Sequence, residues 1–186
     1  SNTNSNRKFT LDAYIIPFEQ YHLDYWMKYQ IPLSVLKMYN INAISWYYFN
    51  YGTPEQRAML DAISFSEGTK ASYGTVYGGK IIPELARGEM TVSQVIEMQR
   101  TGRFNGIQYI PPNAYDSDAT GRYQFMSYTL KEEIGKQGVK MTDKFTPALQ
   151  DKLILGRISR MRGVTAELLR KEGMSTTVMD RLAPEF

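Results

Sequence analysis

The chain has 186 residues and a mass of 21.4 kDa, enough for one domain with a core, or one domain plus an extension. Hydrophobic residues make up 42% and charged residues 22%, which excludes disorder as the main state, and no apolar run approaches the roughly 18 residues of a membrane span. With no cysteines, one histidine (His22) and a net charge of +3, the chain has no thiolate chemistry, no metal site with two or more histidines, and no charge that demands an anionic partner.

The start, Ser1-Asn2-Thr3-Asn4-Ser5-Asn6, is polar and lacks the apolar core of a signal peptide. It reads as a leader, a processed end or an expression junction. Residues 1–53 hold 13 of the 24 aromatics and both tryptophans, but only four of the 22 Lys/Arg and three of the 19 Asp/Glu. The composition shifts at Tyr51-Gly52-Thr53-Pro54, where Gly and Pro punctuate the chain. Two domains are expected: an aromatic-rich extension over 1–53 and a charge-rich, mostly helical domain over 54–186. In the extension, Leu33, Leu36, Tyr39 and Asn40 lie at helical spacing, and Ile44–Phe49 reads as a strand. A small hydrophobic subdomain is the plain reading; a docking module is the functional one.

Thr53, Pro54 and Gln56 open a helix with a capping box, and Met59, Leu60 and Ile63 give it an apolar face. It is expected to run to about Ser66–Glu67 and stop at Gly68. Tyr73-Gly74-Thr75-Val76-Tyr77-Gly78-Gly79-Lys80-Ile81 suits a hairpin turning at Gly-Gly, or an irregular strand pair. Thr91 and Gln94 cap the next helix, whose face is Val92, Val95, Ile96 and Gln99. Residues 101–121 read as a long loop, a length often tied to function. Further helices are expected from Ser127 to about Lys136, from Thr146-Pro147 onward with Leu149, Leu153, Ile154, Ile158 and Met161 on one side, and after Thr165 and Thr176 as caps. The fold class is therefore α+β, mainly helical with one small β-hairpin element.

Glu67 is the carboxyl of most interest. A helix C-terminus carries partial negative charge, and apolar Ile63 and Phe65 would desolvate the group; both effects raise a carboxyl pKa. A raised pKa keeps a general acid protonated. The bland alternative is an exposed helix-end glutamate. Glycosidases usually pair two carboxylates, and the available partners are Glu84, Asp116 and Asp118, which also read simply as solvated charges. Without a partner, one carboxyl can protonate a leaving oxygen and then take a proton from a hydroxyl of the same sugar. That route gives an internal anhydro product rather than hydrolysis.

A second cluster, Asp118-Ala119-Thr120-Gly121-Arg122-Tyr123-Gln124-Phe125-Met126, offers a donor fork, an aromatic face and an amide, the mixture sugars need. Its competing reading is a buried strand with a salt-bridged arginine. From Lys140 to Lys171 there are eight Lys/Arg against three Asp/Glu. Arg157, Arg160 and Arg162 there read as a surface for an anionic polymer or, more plainly, as a solvated helix face. No aromatics are interleaved, so no nucleic-acid partner is expected.

These residues resemble a known family. Leu60–Thr69, with its Ser-Glu-Gly-Thr, is similar to the helix bearing the catalytic glutamate of lambda-type phage lysozymes, which are lytic transglycosylases of lysozyme-like fold. Tyr73 to Gly79 matches the family's Tyr-rich stretch ending in Gly-Gly. Ala119–Phe125 matches its Ala-x-Gly-Arg-Tyr-Gln motif, Phe145–Asp151 its Phe-x-Pro-x-x-Gln-Asp motif, and Arg162-Gly163 a later Arg-Gly. The motifs occur in order over residues 54–186.

The resemblance implies that Glu67 is the catalytic acid/base and that Tyr123 and Gln124 line a saccharide cleft with support from Arg122. Tyr73 and Tyr77 would sit at the cleft rim, and the Phe145–Asp151 motif would be structural. It implies bacterial peptidoglycan as substrate, with the β-1,4 bond between N-acetylmuramic acid and N-acetylglucosamine cut to leave a 1,6-anhydro end. No metal, cofactor or membrane insertion is implied. The chain departs from the family in the segment Ile82–Gly102, and in stopping at Leu182–Phe186, where a Pro/Gly/Tyr-rich segment would begin. Residues 1–53 lie outside the resemblance and suggest docking to virion or tail proteins, placing the enzyme in the virion or, delivered, at the host envelope. The alternatives are a hydrolytic muramidase using Asp116, Asp118 or Glu84, and a non-enzymatic virion component that binds glycan. The Asp that T4-like hydrolases carry soon after their glutamate is missing from Gly68–Pro83.

Overall fold

A computed structural model describes residues 52–69, 72–114 and 117–186. The helix and strand expected within residues 1–51, His22 and the docking role lie outside the described residues, as does Asp116. Among the described residues there are seven α-helices and one two-stranded antiparallel sheet. The helices are α1 (Pro54–Ser66), α2 (Pro83–Ala86), α3 (Val92–Thr101), α4 (Ser127–Lys136), α5 (Pro147–Arg162), α6 (Ala166–Glu172) and α7 (Thr176–Leu182). The strands are β1 (Arg103–Phe104) and β2 (Ile107–Gln108).

The local signals set most boundaries. Thr53 Oγ1 accepts from Gln56 N, and Gln56 Oε1 accepts from Thr53 N, which completes the capping box of α1. Thr91 and Gln94 repeat the arrangement on α3. Thr146 and Thr165 cap α5 and α6 through their side chains. Two expected caps are corrected. Met126, not Ser127, is the residue before α4, with no side-chain cap. Ser175 caps α7, and Thr176 lies inside it, because the Ser175 hydroxyl accepts from Val178 N one turn on.

The β element is also displaced from its expected place. Around Gly78-Gly79 there is one antiparallel bridge, Thr75 with Ile81, closed by a short 3-10 turn at Tyr77–Gly79. The sheet falls instead within the expected loop 101–121, where Arg103 pairs with Gln108 and Phe104 with Ile107. Its turn is Asn105-Gly106, both at positive φ (52° and 79°), as a two-residue hairpin of the mirror-image type requires.

Met59, Leu60 and Ile63 of α1 pack into a core with Val92, Val95 and Met98 of α3, Leu130 of α4, Phe145, and Leu153, Ile154 and Ile158 of α5. Burying each such side chain stabilises the fold by about 1.5–3 kcal/mol. Met161, expected on the buried side of α5, is 45% exposed, while Gln150 and Asp151 are fully buried. The three clustered arginines are paired with acids. Glu133, on α4 and fully buried, accepts from Arg157 (3.0 Å) and Arg160 (2.5 Å), and Arg162 pairs with Glu185 (2.8 Å). Burial pushes the Glu133 carboxyl up, but hydrogen bonds from Arg160, Gln137 (3.0 Å) and Arg157 together outweigh it and hold the group below its usual range. Arg157, Arg160 and Arg162 thus form an ion-paired helix face.

Candidate active site

Glu67 is the C-cap of α1, half-buried, with its backbone N–H bonded to Ile63 O at 2.9 Å. The chain leaves the helix through Gly68, whose φ of +70° suits glycine and costs other residues strain. Gly68 N reaches Phe65 O (3.1 Å) and Thr69 N reaches Ser64 O (3.2 Å), so the last carbonyls are satisfied in a Schellman end. Thr69 is buried and its hydroxyl donates to Arg122 O at 2.9 Å. This bond fastens the end of α1 to the Gly121–Gln124 turn. Among the described residues, no hydrogen bond or ion pair engages the Glu67 carboxyl. Desolvation by its surroundings pushes its pKa up from the ordinary value. Phe65 is not the cover once expected, since it stands 88% exposed; Ile63 is buried beneath.

Beneath this end lies a buried polar network. Asp151, fully buried on α5, accepts from Tyr73 Oη (3.0 Å), from Tyr123 Oη (2.5 Å) and from Arg57 Nη1 (3.0 Å). Tyr123 Oη in turn accepts from Arg57 Nη2 (3.1 Å) and Arg122 Nη1 (3.0 Å). Asp61 receives Arg122 Nη2 at 2.7 Å and Arg57 Nε at 3.3 Å. The two tyrosine rings meet edge to face at 6.2 Å, and the Arg122 guanidinium lies 5.3 Å and 5.5 Å from their centres. Among the described residues two cations face two carboxylates, the balance that buried charge requires. Burial, and then the charge of Asp151, push the Tyr123 hydroxyl up to about 12 and that of Tyr73 well above its ordinary value, so both remain protonated donors.

The sequence-derived candidates are therefore placed unequally. Arg122, Tyr123 and Tyr73 face the interior, at 3%, 2% and 4% exposure, where they brace the site. Arg122 has the salt bridge of the competing reading, to Asp61. Gln124 is half-buried at a φ of +55°, unusual for a residue with a side chain, and its Nε2 donates to Gly121 O (2.8 Å) and Thr75 O (3.3 Å). Tyr77 is exposed on the turn at Tyr77–Gly79. Glu84 lies in the first turn of α2 and Asp118 lines a cavity whose lining does not include Glu67; no hydrogen bond joins either to Glu67. Arg57 and Asp61 were not singled out in the sequence, although their i,i+4 spacing on α1 was the available signal.

Gly121 holds the braced turn together. Its φ is +85°, its N–H bonds Thr75 O at 2.8 Å, and a Cβ there would collide with Gln150 Oε1. Gln150 uses that oxygen to accept from Arg122 N (2.9 Å) and donates its amide to Tyr73 O (3.0 Å). Gly121→Ala is expected to destabilise the fold by more than about 1 kcal/mol, read as a lowered unfolding temperature. An unchanged temperature would mean the turn tolerates a Cβ.

A family model described as Endolysin matches residues 57–180 of this chain. Comparison with curated proteins and with solved structures gave no match.

Proposed function

The chain belongs to the endolysin family, and from that premise we propose that it is a lytic transglycosylase of bacterial peptidoglycan with Glu67 as its acid and base. Endolysins degrade the bacterial wall, which sets the substrate class. The choice of mechanism rests on one observation. Among the described residues, no hydrogen bond or ion pair engages the Glu67 carboxyl, and desolvation raises its pKa. Of the described alternative acids, neither Glu84 nor Asp118 is joined to it by a hydrogen bond. A single carboxyl suits intramolecular transfer. Protonated Glu67 gives its proton to the glycosidic oxygen, the C1–O bond of the muramic sugar breaks, and the N-acetylglucosamine 4-hydroxyl leaves. Ionised Glu67 then takes the proton of the muramic 6-hydroxyl as that oxygen bonds C1, closing the 1,6-anhydro ring and restoring the acid.

In this reading Gln124, held at a positive φ in the Gly121–Gln124 turn, contacts the saccharide. Arg122, Tyr123 and Tyr73 hold that turn from behind. Mass spectrometry of soluble products from purified peptidoglycan tests the proposal. Anhydro-muramic ends are expected. Reducing muramic ends would overturn transglycosylation and direct attention to Glu84, Asp116 and Asp118. No soluble product from a folded sample would favour a glycan-binding role.

A further inference from the structure

Two cavities meet at the start of α4. One, of about 300 Å³, lies between the C-terminal part of α3, the loop after β2 and the first residues of α4, with Thr101, Ile110, Pro111 and Ser117 on its walls. The other, of about 270 Å³, is walled by Gln124, Thr129, Ile154, Arg162 and Phe186. Met126 and Tyr128 belong to the lining of both. Tyr128 is 70% exposed, so its ring is open to solvent. Among the described residues its hydroxyl has no hydrogen-bond partner and its ring no other ring beside it. The buried residues of α4 are Leu130, Glu133 and Ile134, and position 128 adds nothing to that face. A single exposed aromatic is ordinary. One that stands where two cavities join is placed to be covered by a ligand that runs from one to the other.

The second cavity also carries Gln124. Its Nε2 is used on Gly121 O (2.8 Å) and Thr75 O (3.3 Å), which fixes which end of the amide is nitrogen. Its Oε1 has no partner among the described residues and is not buried, so a ligand can reach this acceptor. An accessible acceptor, a flat apolar face and two cavities in series match a chain of pyranose rings. A β-1,4-linked hexosamine presents axial C–H bonds on its ring face, and hydroxyl and acetamido N–H donors at its edge. Resting on the peptidoglycan reading above, we propose that Tyr128 is the platform on which one sugar ring of the wall glycan stacks, and that the strand passes over it from the Gln124 cavity into the cavity between α3 and α4. The tyrosine ring takes the C–H face of that sugar, and a donor of the strand meets Gln124 Oε1. Tyr128 positions the strand and takes no part in proton transfer.

The test titrates chitohexaose, a β-1,4 chain of N-acetylglucosamine, into the full chain carrying Glu67→Gln, which keeps the ligand intact. Saturable NMR shifts are expected at the backbone N–H of Thr129 and of Thr101, one from each cavity. Adding Tyr128→Ala should weaken binding roughly tenfold, a usual loss for an aromatic anchor in an interface. Tyr128→Phe keeps the ring face and should stay within about twofold. Both variants should keep the parent unfolding temperature, since the side chain is exposed. With Glu67 intact, Tyr128→Ala should raise KM on soluble glycan strands roughly tenfold and leave kcat within about twofold. Unchanged affinity in Tyr128→Ala, Tyr128→Phe as weak as Tyr128→Ala, shifts confined to one cavity, no saturable shifts, or a loss in kcat with KM kept would each overturn the proposal. Anhydro ends with a KM indifferent to Tyr128 sink this inference alone. Reducing ends with a KM that depends on Tyr128 sink the transglycosylase reading and leave the platform standing.

Discussion

Glu67→Gln is expected to lower the rate of wall clearing by roughly 10²–10⁴-fold, the usual share of a positioned acid, while the fold survives. The amide keeps the shape of the carboxyl but has no proton to transfer. Stability should move the other way. Desolvation raises the folded-state pKa of Glu67 above its ordinary value, so the folded chain binds this proton more tightly than the unfolded chain. Between the two pKa values the native state holds more protons, and stability falls as pH rises through that window. Glutamine removes this loss, so at neutral pH the variant should unfold no earlier than wild type, and somewhat later. The wild-type rate should follow the protonated form: present at acidic pH, and lost as pH rises through the raised pKa, later than for an exposed carboxyl. Turbidity loss across pH and a thermal melt of both proteins check the two halves. Equal clearing by Glu67→Gln would end its role as the acid. A lowered melting temperature would place the group in the fold instead.

What the sequence made readable was local. The capping boxes at Thr53 and Thr91 act over three residues, and the glycine stop at Gly68 over two, so α1 and α3 follow from composition at their ends. The strands around Asn105-Gly106 escaped because each is two residues long. Such a strand has no alternation to detect, and its surrounding Gly and Pro look like loop. The burial of Arg122 and Tyr123 stood only as the competing reading, and that of Tyr73 was not expected, for a different reason. Their partners lie 61 residues away at Asp61, and 28 and 78 residues away at Asp151. An arginine beside a tyrosine reads equally well as a sugar contact or as a buried pair until the partner is known. The sequence pattern marked the correct turn, and tertiary pairing decided which of its side chains face inward.

That pairing makes the second large prediction. Asp151→Ala is expected to destabilise the fold by about 3–5 kcal/mol, the cost of removing one partner from a buried ion pair. Burial pushes the Asp151 carboxyl up, and Arg57, the Tyr123 hydroxyl, Arg122 and the Tyr73 hydroxyl pull it back. Without the carboxylate the pull has no object. Arg57 loses its fully buried carboxylate partner and keeps Asp61, which it already shares with Arg122, and the Tyr73 and Tyr123 hydroxyls lose Asp151 as acceptor. Tyr73→Phe removes a single donor and should cost about 0.5–1.5 kcal/mol. Tyr123→Phe should cost more than Tyr73→Phe, because Arg57 and Arg122 both donate to the Tyr123 oxygen. Urea unfolding at 25 °C gives the order Asp151→Ala, then Tyr123→Phe, then Tyr73→Phe. The network ends at the turn that Thr69 fastens to the helix of Glu67, so the folded fraction of Asp151→Ala should also lose kcat more than KM. A variant within about 1 kcal/mol of wild type would mean that the two arginines are balanced without Asp151. A destabilised variant with wild-type kcat in its folded fraction would mean that the network holds the core together without positioning the acid.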